Sequence, residues 1–205
     1  FKDAAETVFQ VADLRHAADP TNPAPPSRHF VANADESHQD LLNGTYPVVA
    51  MSLDDVISLS RSDAPNADQV VFFSGVHRGF LKLMARPGIN TIADLRGKTI
   101  AVDTPTGYAA ALFDILRKNG LEPNRDVKVV FAGATNVRYD KLLAGEFDAT
   151  LLGTPFTVLA EQKGFKSLAR PIDELGGYQG VVFATLRPWL ATHAELALRL
   201  VNNFN

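Results

Sequence analysis

One pattern of helix end, glycine, short apolar run and turn occurs twice in this chain and constrains the fold more than any other feature. Residues 41–52 read LLNGTYPVVAMS, and residues 142–153 read LLAGEFDATLLG. In each copy the glycine fits the left-handed position that closes a helix. The apolar run that follows is typical of a strand buried on both faces. The repeat therefore predicts two similar α/β lobes, with a cleft between them.

The composition limits the classes of function. The chain has 205 residues, of which 46% are hydrophobic, so it can bury a sizeable core. Its 20 basic and 23 acidic residues form no run of like charge, which argues against nucleic acid or a membrane surface as a partner. No stretch approaches the roughly 20 apolar residues of a membrane span, and no basic and then apolar leader opens the chain. We expect a soluble protein.

Helical and strand patterns alternate along the chain, which is typical of the α/β class. Helices are predicted at residues 35–43, 54–60, 106–119, 136–144, 155–163 and 188–204, with a helical turn at 91–97. Strands are predicted at residues 7–12, 30–32, 46–51, 69–74, 80–85, 98–102, 127–131, 148–152 and 180–186. The proline-rich residues 16–28 are predicted to form an exposed loop.

The glycines near residues 79 and 180 suggest the places where the chain crosses between the lobes. We therefore predict that lobe 1 comprises residues 1–79 and 181–205, and lobe 2 residues 80–180.

Four turns of small or hydroxylated residues each follow a predicted strand and open a helix, at residues 52–54, 104–107, 133–136 and 153–155. The first turn of a helix offers unpaired backbone N–H groups and the positive end of its dipole, so such a turn can hold an anionic group. Taken singly, each turn is better explained by residues that start helices well than by a ligand site. Because ligands of open α/β sheets bind at strand ends, the four turns together predict a ligand site.

The candidate ligand-binding residues lie in these turns and in the two crossover segments. They are Ser52, Asp54, Ser74, His77, Asp103, Thr104, Thr106, Gly107, Tyr108, Thr135, Thr154, Phe156, Tyr178 and Gln179. Tyr108, Phe156 and Tyr178 are expected to form aromatic walls.

Some candidates have a plainer alternative. Asp54 and its neighbour Asp55 point about 100° apart on a helix, so a capping role in the first turn is favoured over a paired acid and base. His77 is alternatively an exposed loop histidine, and Tyr178 and Gln179 alternatively belong to a surface loop. Asp103 would repel an anion, so the charge of the ligand stays open.

The sequence shows no motif for catalysis or for a cofactor. Its five histidines lack the spacing of metal ligands, and it has no cysteine, no nucleophile elbow, no phosphate-binding loop and no dinucleotide fingerprint. We therefore expect no catalytic residue, no metal and no cofactor.

Three stretches, in order along the chain, carry a resemblance to a known family. Residues 53–57 (LDDVI), 91–102 (TIADLRGKTIAV) and 142–152 (LLAGEFDATLL) resemble elements of type II periplasmic solute-binding proteins of ABC importers. The resemblance is to the NMT1/THI5-like group, which handles nitrate, sulfonates, taurine and thiamine precursors. It implies a two-lobed protein, expected to be a periplasmic or otherwise extracytoplasmic monomer, that presents a small ligand to a membrane permease.

The resemblance leaves the ligand open among nitrate, a sulfonate, an aromatic acid and a pyrimidine. It also implies that the family's first strand and last helices lie outside this sequence. Two other functions stay open. The superfamily includes a desulfinase and a pyrimidine synthase, but the resemblance there involves cysteine chemistry, and this chain has no cysteine. Effector-sensing domains of transcription regulators share the fold, but no helix-turn-helix is recognisable here.

Overall fold

A computed structural model describes residues 34–77 and 81–202 of the protein, together with Ser27, His29 and Val31. The predicted strand at residues 7–12 lies outside the described residues. The predicted loop at 16–28 and the strand at 30–32 lie almost entirely outside them.

Helices and strands alternate through the described residues, as the sequence predicts. The helices are α1 (Ala34–Leu42), α2 (Leu53–Ser60), α3 (Tyr108–Lys118), α4 (Thr135–Ala144), α5 (Phe156–Gln162), α6 (Pro171–Glu174), α7 (Arg187–Thr192) and α8 (Ala194–Asn202). The strands are β1 (Val48–Ser52), β2 (Val70–Gly75), β3 (Lys82–Ala85), β4 (Thr99–Val102), β5 (Lys128–Phe131), β6 (Ala149–Leu152), β7 (Lys166–Ala169) and β8 (Val181–Leu186). Short 3₁₀ turns lie at Ala67–Gln69 and Ala93–Leu95.

The described strands form two sheets. The first sheet has the order β1-β8-β2, and both neighbours run antiparallel to β8. The second sheet has the order β5-β4-β6-β3-β7 and is mixed. In it β4 runs parallel to β5 and β6, whereas β3 runs antiparallel to β6 and β7.

The strand register brings the ends of several strands to the edges where the chain passes between the sheets. In the first sheet Ser52 pairs with Val181, so the end of β1 lies beside the start of β8. In the second sheet Lys82 pairs with Leu152, so the start of β3 lies beside the end of β6. The turns that follow β1 and β6 therefore lie next to the two crossovers.

Alternating side chains cover both faces of the second sheet. Leu83 and Ile100 pack on one face with the apolar side of α3, which contributes Leu112 and its neighbours. The residues next to them in the strands point to the other face, where Met84 packs with Leu142 of α4. The first sheet has its own smaller core, in which Leu41, Met51, Val56, Leu59, Val70, Val182 and Ala184 are buried.

The repeated sequence adopts the same order of elements in both copies. Gly44 and Gly145 have φ angles of 71° and 78°, and each lies just beyond a helix and before a strand and a second helix. The predicted burial on both faces is right for β6, whose four residues are all buried. It is wrong for β1, where Ala50 is exposed. β1 is an edge strand of a small sheet, so half of its side chains are less covered.

The structure corrects the predicted elements in three places. The helix predicted at residues 188–204 is interrupted at His193, which leaves the helical conformation between α7 and α8. No helix or strand was predicted within residues 164–179, which contain β7 and α6. The helix predicted from Thr106 begins at Tyr108, because Gly107 has φ 61° and ψ −131°, which no helical residue adopts.

The described strands of the two sheets lie in different predicted lobes. β1, β2 and β8 lie within residues 1–79 and 181–205, and the remaining strands lie within 80–180. The division into lobes stays a prediction. Within the described ranges, no helix is both long and apolar enough to cross a membrane.

Candidate functional site

The turn between β1 and α2 is closed by a reciprocal cap. The backbone N–H of Asp55 donates to Ser52 Oγ at 3.0 Å, and that hydroxyl donates to Asp55 Oδ2 at 2.8 Å. Ser52 is the N-cap, so its extended backbone and small side chain set the start of the helix. Asp55 lies in the first turn, but Ser52 caps the helix, and the Ser52 hydroxyl holds the Asp55 carboxylate in a fixed position.

The same carboxylate reaches the second sheet. Thr106 Oγ1 donates to Asp55 Oδ1 at 2.9 Å. A Cβ atom built on Gly107 would lie 2.7 Å from Asp55 Oδ2, closer than real Cβ contacts come. The turns after β1 and β4 therefore meet at Asp55, whose exposed fraction is only 6%.

His38 of α1 faces this carboxylate from a third side. Its Nε2 lies 3.6 Å from Asp55 Oδ1, which is an ion-pair distance when the ring is protonated but too long for a hydrogen bond. Burial alone would raise the pKa of Asp55. The interactions with His38, Ser52 and Thr106 outweigh burial and lower the pKa below its ordinary value. Asp55 is thus an ionised group at the junction of the two sheets.

Asp54, next in the chain, takes part in a separate contact. The hydroxyl of Tyr178 donates to Asp54 Oδ2. Burial raises the pKa of Asp54, against the hydrogen bond from Tyr178, and the neighbouring Asp55 charge raises it further. Burial and this bond to a carboxylate also raise the pKa of Tyr178. The ring of Tyr178 lies 6.4 Å from that of Tyr108, so two of the three predicted aromatic walls adjoin the acidic turn.

The two crossovers are hydrogen-bonded to each other. The N–H of Gly180 donates to His77 O at 3.0 Å, and Gln179 Nε2 donates to the same oxygen at 2.7 Å. Gln179 fills the space beside Gly75, where a Cβ atom would lie 2.8 Å from it. The Gln179 side chain therefore links the two crossovers, rather than belonging to an independent surface loop.

Asp103 and Arg138 are ionisable residues that lie near the strand ends of the second sheet. Burial raises the pKa of Asp103, although the positive charge of Arg138 works in the opposite direction. Asp103 Oδ1 is buried without a hydrogen-bond partner. Arg138 is 2% exposed, and burial lowers its pKa.

The guanidinium of Arg138 donates its described hydrogen bonds to neutral oxygen atoms. It donates to Thr150 Oγ1 at 3.1 Å, to Leu151 O at 3.1 Å and to Thr135 Oγ1 at 3.3 Å, and also to Gly133 O. These bonds tie the start of α4 to the ends of β5 and β6. Thr135 is thereby placed beside the buried cation.

The remaining candidates lie around this centre or apart from it. Thr104 Oγ1 lies 3.3 Å from Thr106 Oγ1, so it belongs to the same turn. Thr154 precedes a cis peptide bond to Pro155. Phe156 packs against Tyr139 with ring centroids 5.2 Å apart, in the core between α4 and α5. The hydroxyl of Ser74 donates to Gly75 O at 3.2 Å and is exposed. The roles of these residues toward a ligand stay predictions.

Three ionisable residues central to this arrangement were not among the candidates. They are His38, Asp55 and Arg138. Each lies three or four residues from an apolar residue that its own helix buries: His38 from Leu41, Asp55 from Leu59, and Arg138 from Leu142. A charged residue on the buried stripe of an amphipathic helix was the available signal.

No group of three or more His, Cys, Asp or Glu side chains suited to a metal ion occurs among the residues that the structure describes. Asp54 and Asp55 bind partners on different sides of the turn, Tyr178 and Thr106. What these groups offer is a set of fixed donors and acceptors, held where the two sheets meet.

A family model described as "NMT1/THI5 like" matches residues 32–204. No significant match was found among curated proteins.

Solved structures share the fold at low sequence identity. The alkanesulfonate-binding protein SsuA from Xanthomonas axonopodis pv. citri, bound to MOPS, has a TM-score of 0.75 at 17% identity, over 96% of this chain and 68% of that one. The periplasmic aliphatic sulphonate binding protein SsuA from Escherichia coli has a TM-score of 0.71 at 17% identity, over 98% and 67%.

A third similar structure is the ligand binding component of an ABC-type import system from Staphylococcus aureus, with zinc bound. Its TM-score is 0.77 at 11% identity, over 98% of this chain and 69% of that one. The chain thus spans about two thirds of the length of these proteins. The similarities confirm the predicted fold class, the α/β fold of type II periplasmic binding proteins.

Proposed function

This chain belongs to the NMT1/THI5-like family, and from that premise we propose that it is the ligand-binding part of an extracytoplasmic solute-binding protein. It captures a small molecule between two lobes, residues 1–79 with 181–205 and residues 80–180, and presents it to the permease of an ABC importer. It acts as a monomer in the periplasm or at the cell exterior. It carries out no chemistry on the ligand.

The observation that carries the proposal is the meeting of the Ser52 and Thr106 turns at Asp55. Ser52 Oγ and Thr106 Oγ1 donate to the two oxygens of one carboxylate, from different sheets. Polar groups that the sequence places far apart therefore converge at the junction of the sheets. A site of this kind, between two α/β units, is a common place for a small ligand.

The paired crossovers supply the means of closure. Their described parts are joined by the hydrogen bonds that His77 O accepts from Gly180 and Gln179. Two adjacent connecting segments of this kind let two rigid units rotate toward each other, because a few backbone angles absorb the motion. Closure removes water from the junction, and each hydrogen bond to the ligand becomes stronger in the drier environment.

The described functions of similar proteins support a binding role. Both SsuA proteins are described as binding sulfonates, and the Staphylococcus aureus protein as a ligand-binding component of an import system. The ligand of this chain is proposed to come from the same broad range of small organic molecules and anions. Sulfonates, nitrate, aromatic acids and pyrimidines are the first compounds to test.

A thermal-shift screen of these classes tests the proposal. A ligand that binds only the native state adds RT ln(1 + [L]/Kd), which is about 2.7 kcal/mol at a hundredfold excess over Kd. For a chain of this size we expect Tm to rise by roughly 5 to 10 °C. Calorimetric titration of each hit then gives the affinity, and mass spectrometry of the recovered ligand shows whether it is unchanged.

Two variants decide whether a hit binds at the junction. Thr106→Val should weaken binding by about tenfold or more, because it removes the hydrogen bond that holds the Asp55 carboxylate in place at the junction. Thr192→Val removes an exposed hydroxyl in α7, whose contacts are local, and should leave the affinity unchanged. Equal affinity in both variants would place the ligand elsewhere, and a chemically altered ligand would favour the enzyme alternative.

A further inference from the structure

The start of α3 (Tyr108–Lys118) is where a bound anion would be expected, but the protein's own carboxylate lies there. Thr106 Oγ1 donates to Asp55 Oδ1 at 2.9 Å, just before the first turn of the helix. Gly107 lets the carboxylate come so close that a Cβ atom at that position would lie 2.7 Å from Oδ2 and 2.9 Å from Oδ1. Asp55 therefore occupies the hydroxyls of Ser52 and Thr106, two of the donors that the sequence assigned to the ligand.

Asp55 is held in this place by its own helix. Ser52 both accepts from the backbone N–H of Asp55 and donates to its side chain, within a single helical turn. The carboxylate is almost completely buried. Swinging it aside would break the bonds to Ser52 and Thr106 and leave a buried charge without partners, which is costly. A ligand that enters the junction therefore meets Asp55 as a fixed negative group.

The neighbouring groups add negative charge or are already engaged. Asp54 lies beside Asp55 and accepts from Tyr178. Asp103 carries a buried carboxylate oxygen without a hydrogen-bond partner. Arg138 interacts with Asp103 by its charge, but its described hydrogen bonds go to neutral oxygen atoms. His38 is the cation that faces Asp55 itself when the ring is protonated.

We infer that Asp55 determines the specificity of the site, taking the place of a ligand's anionic group and selecting ligands that bring N–H donors or positive charge. The inference rests on the proposed function, because it assumes that the ligand binds where the two sheets meet. An anion such as a sulfonate would need the same donors and would be repelled by the resident carboxylate. A ligand with an amine, amidine or amino-heterocycle group would instead find acceptors.

Calorimetric titration with four probes tests the inference. Ethanesulfonate and butanesulfonate represent anions, whereas agmatine and cytosine represent cationic and neutral N–H donors. The wild-type protein should bind at least one donor probe at least tenfold more tightly than either anion. Asp55→Asn should weaken binding of that donor by tenfold or more and strengthen binding of the anions, because the competing charge is gone.

The control is Asp114→Asn, which removes the same charge from an exposed site in α3. Asp114 pairs there with Lys118. This variant should keep the wild-type preference. A change in ligand preference that occurs in Asp55→Asn but not in Asp114→Asn is therefore due to the carboxylate at the junction. The wild-type comparison stands by itself if Asp55→Asn fails to fold.

Each outcome separates the two proposals. If the wild-type protein binds a sulfonate as tightly as the donor probes, the specificity role of Asp55 is overturned while the proposed binding function stands. If Asp55→Asn keeps the wild-type preference, the role is likewise overturned. Failure of every probe to bind any variant overturns the specificity role, whereas the proposed function fails only if the wider ligand screen is also empty.

Discussion

The hydroxyl of Thr106 donates a hydrogen bond to the carboxylate of Asp55 at 2.9 Å, and the two residues follow strands of different sheets. Asp55 also accepts from Ser52 at the start of its own helix. One buried carboxylate thus joins a helix cap in one half of the molecule to a strand-end turn in the other. The stability of the junction and its chemistry therefore depend on the same few atoms.

Replacing Thr106 by Val should reduce the free energy of unfolding by about 1.5 kcal/mol or more, because the Asp55 carboxylate loses one of its two hydroxyl donors. Urea unfolding followed by circular dichroism measures the change. Thr192→Val is the matched control and should change stability by less than about 0.5 kcal/mol. Equal losses in the two variants would mean that the bond across the junction contributes nothing specific.

Gly107→Ala should destabilise the protein by about 3 kcal/mol or more, for two reasons that add. Its backbone angles of φ 61° and ψ −131° are poorly accessible to other residues, and the new methyl group would meet the Asp55 carboxylate. Gly120→Ala has the backbone cost alone, since φ is 73° and nothing lies within 4 Å of the added atom. Chemical denaturation of both variants separates the two effects. A loss in Gly107→Ala no larger than in Gly120→Ala would refute the close approach of Asp55.

Asp103→Asn should make the protein more stable at neutral pH. Burial raises the pKa of Asp103 in the folded state, so the native protein holds this proton more tightly than the unfolded chain does. Stability is therefore lost as the pH rises from the unfolded pKa, about 3.9, through the folded one. The amide cannot ionise, so the variant avoids this loss.

Thermal unfolding between pH 3 and pH 8 checks this expectation. The advantage of Asp103→Asn should shrink toward zero at the acid end, where the wild-type carboxyl is already neutral. Asp114→Asn, in an exposed pair with Lys118, should show little advantage at any pH. A variant less stable than the wild type at neutral pH would show that Arg138 depends on the Asp103 charge more than burial opposes it.

Arg138→Met should destabilise the protein by about 3 kcal/mol or more, because it leaves buried acceptors without a donor and Asp103 without its cation. Thr150 and Leu151 lose their bonds from the guanidinium. Arg125→Met removes an exposed cation that pairs with its neighbour Asp126, and should change stability by less than about 1 kcal/mol. Denaturant titration compares the two variants. Similar small effects would mean that the strand ends hold their positions without Arg138.

Local patterns in the sequence predicted most of the elements. Short apolar runs located β2, β4 and β6, and the amphipathic stripe with Leu112 and Leu116 located α3. The apolar pattern failed where the local signal was weak. Residues 166–169 were not recognised as a strand, because β7 is short and pairs only with β3 at the edge of the sheet. The break at His193 was missed because residues 188–204 read as one continuous helical stretch.

The sequence located the turns that carry several candidate residues, but not the contact between those turns. Ser52, Thr106 and Gly107 were assigned to strand-end turns, and the structure brings these turns together. Whether they contact a ligand stays a prediction. The structure shows them around Asp55, because α2 and α3 come close enough for a side chain of one to reach the start of the other.

By itself the sequence determined the α/β class, the repeated unit and the turns that open helices, because these depend on periodicity and backbone preference within short stretches. Only the tertiary structure decided which turns face each other and which charges are buried. The roles of His38, Asp55 and Arg138 depend on neighbours that are distant in the sequence. The energy of a buried charge is set by those neighbours, so no local pattern contains it.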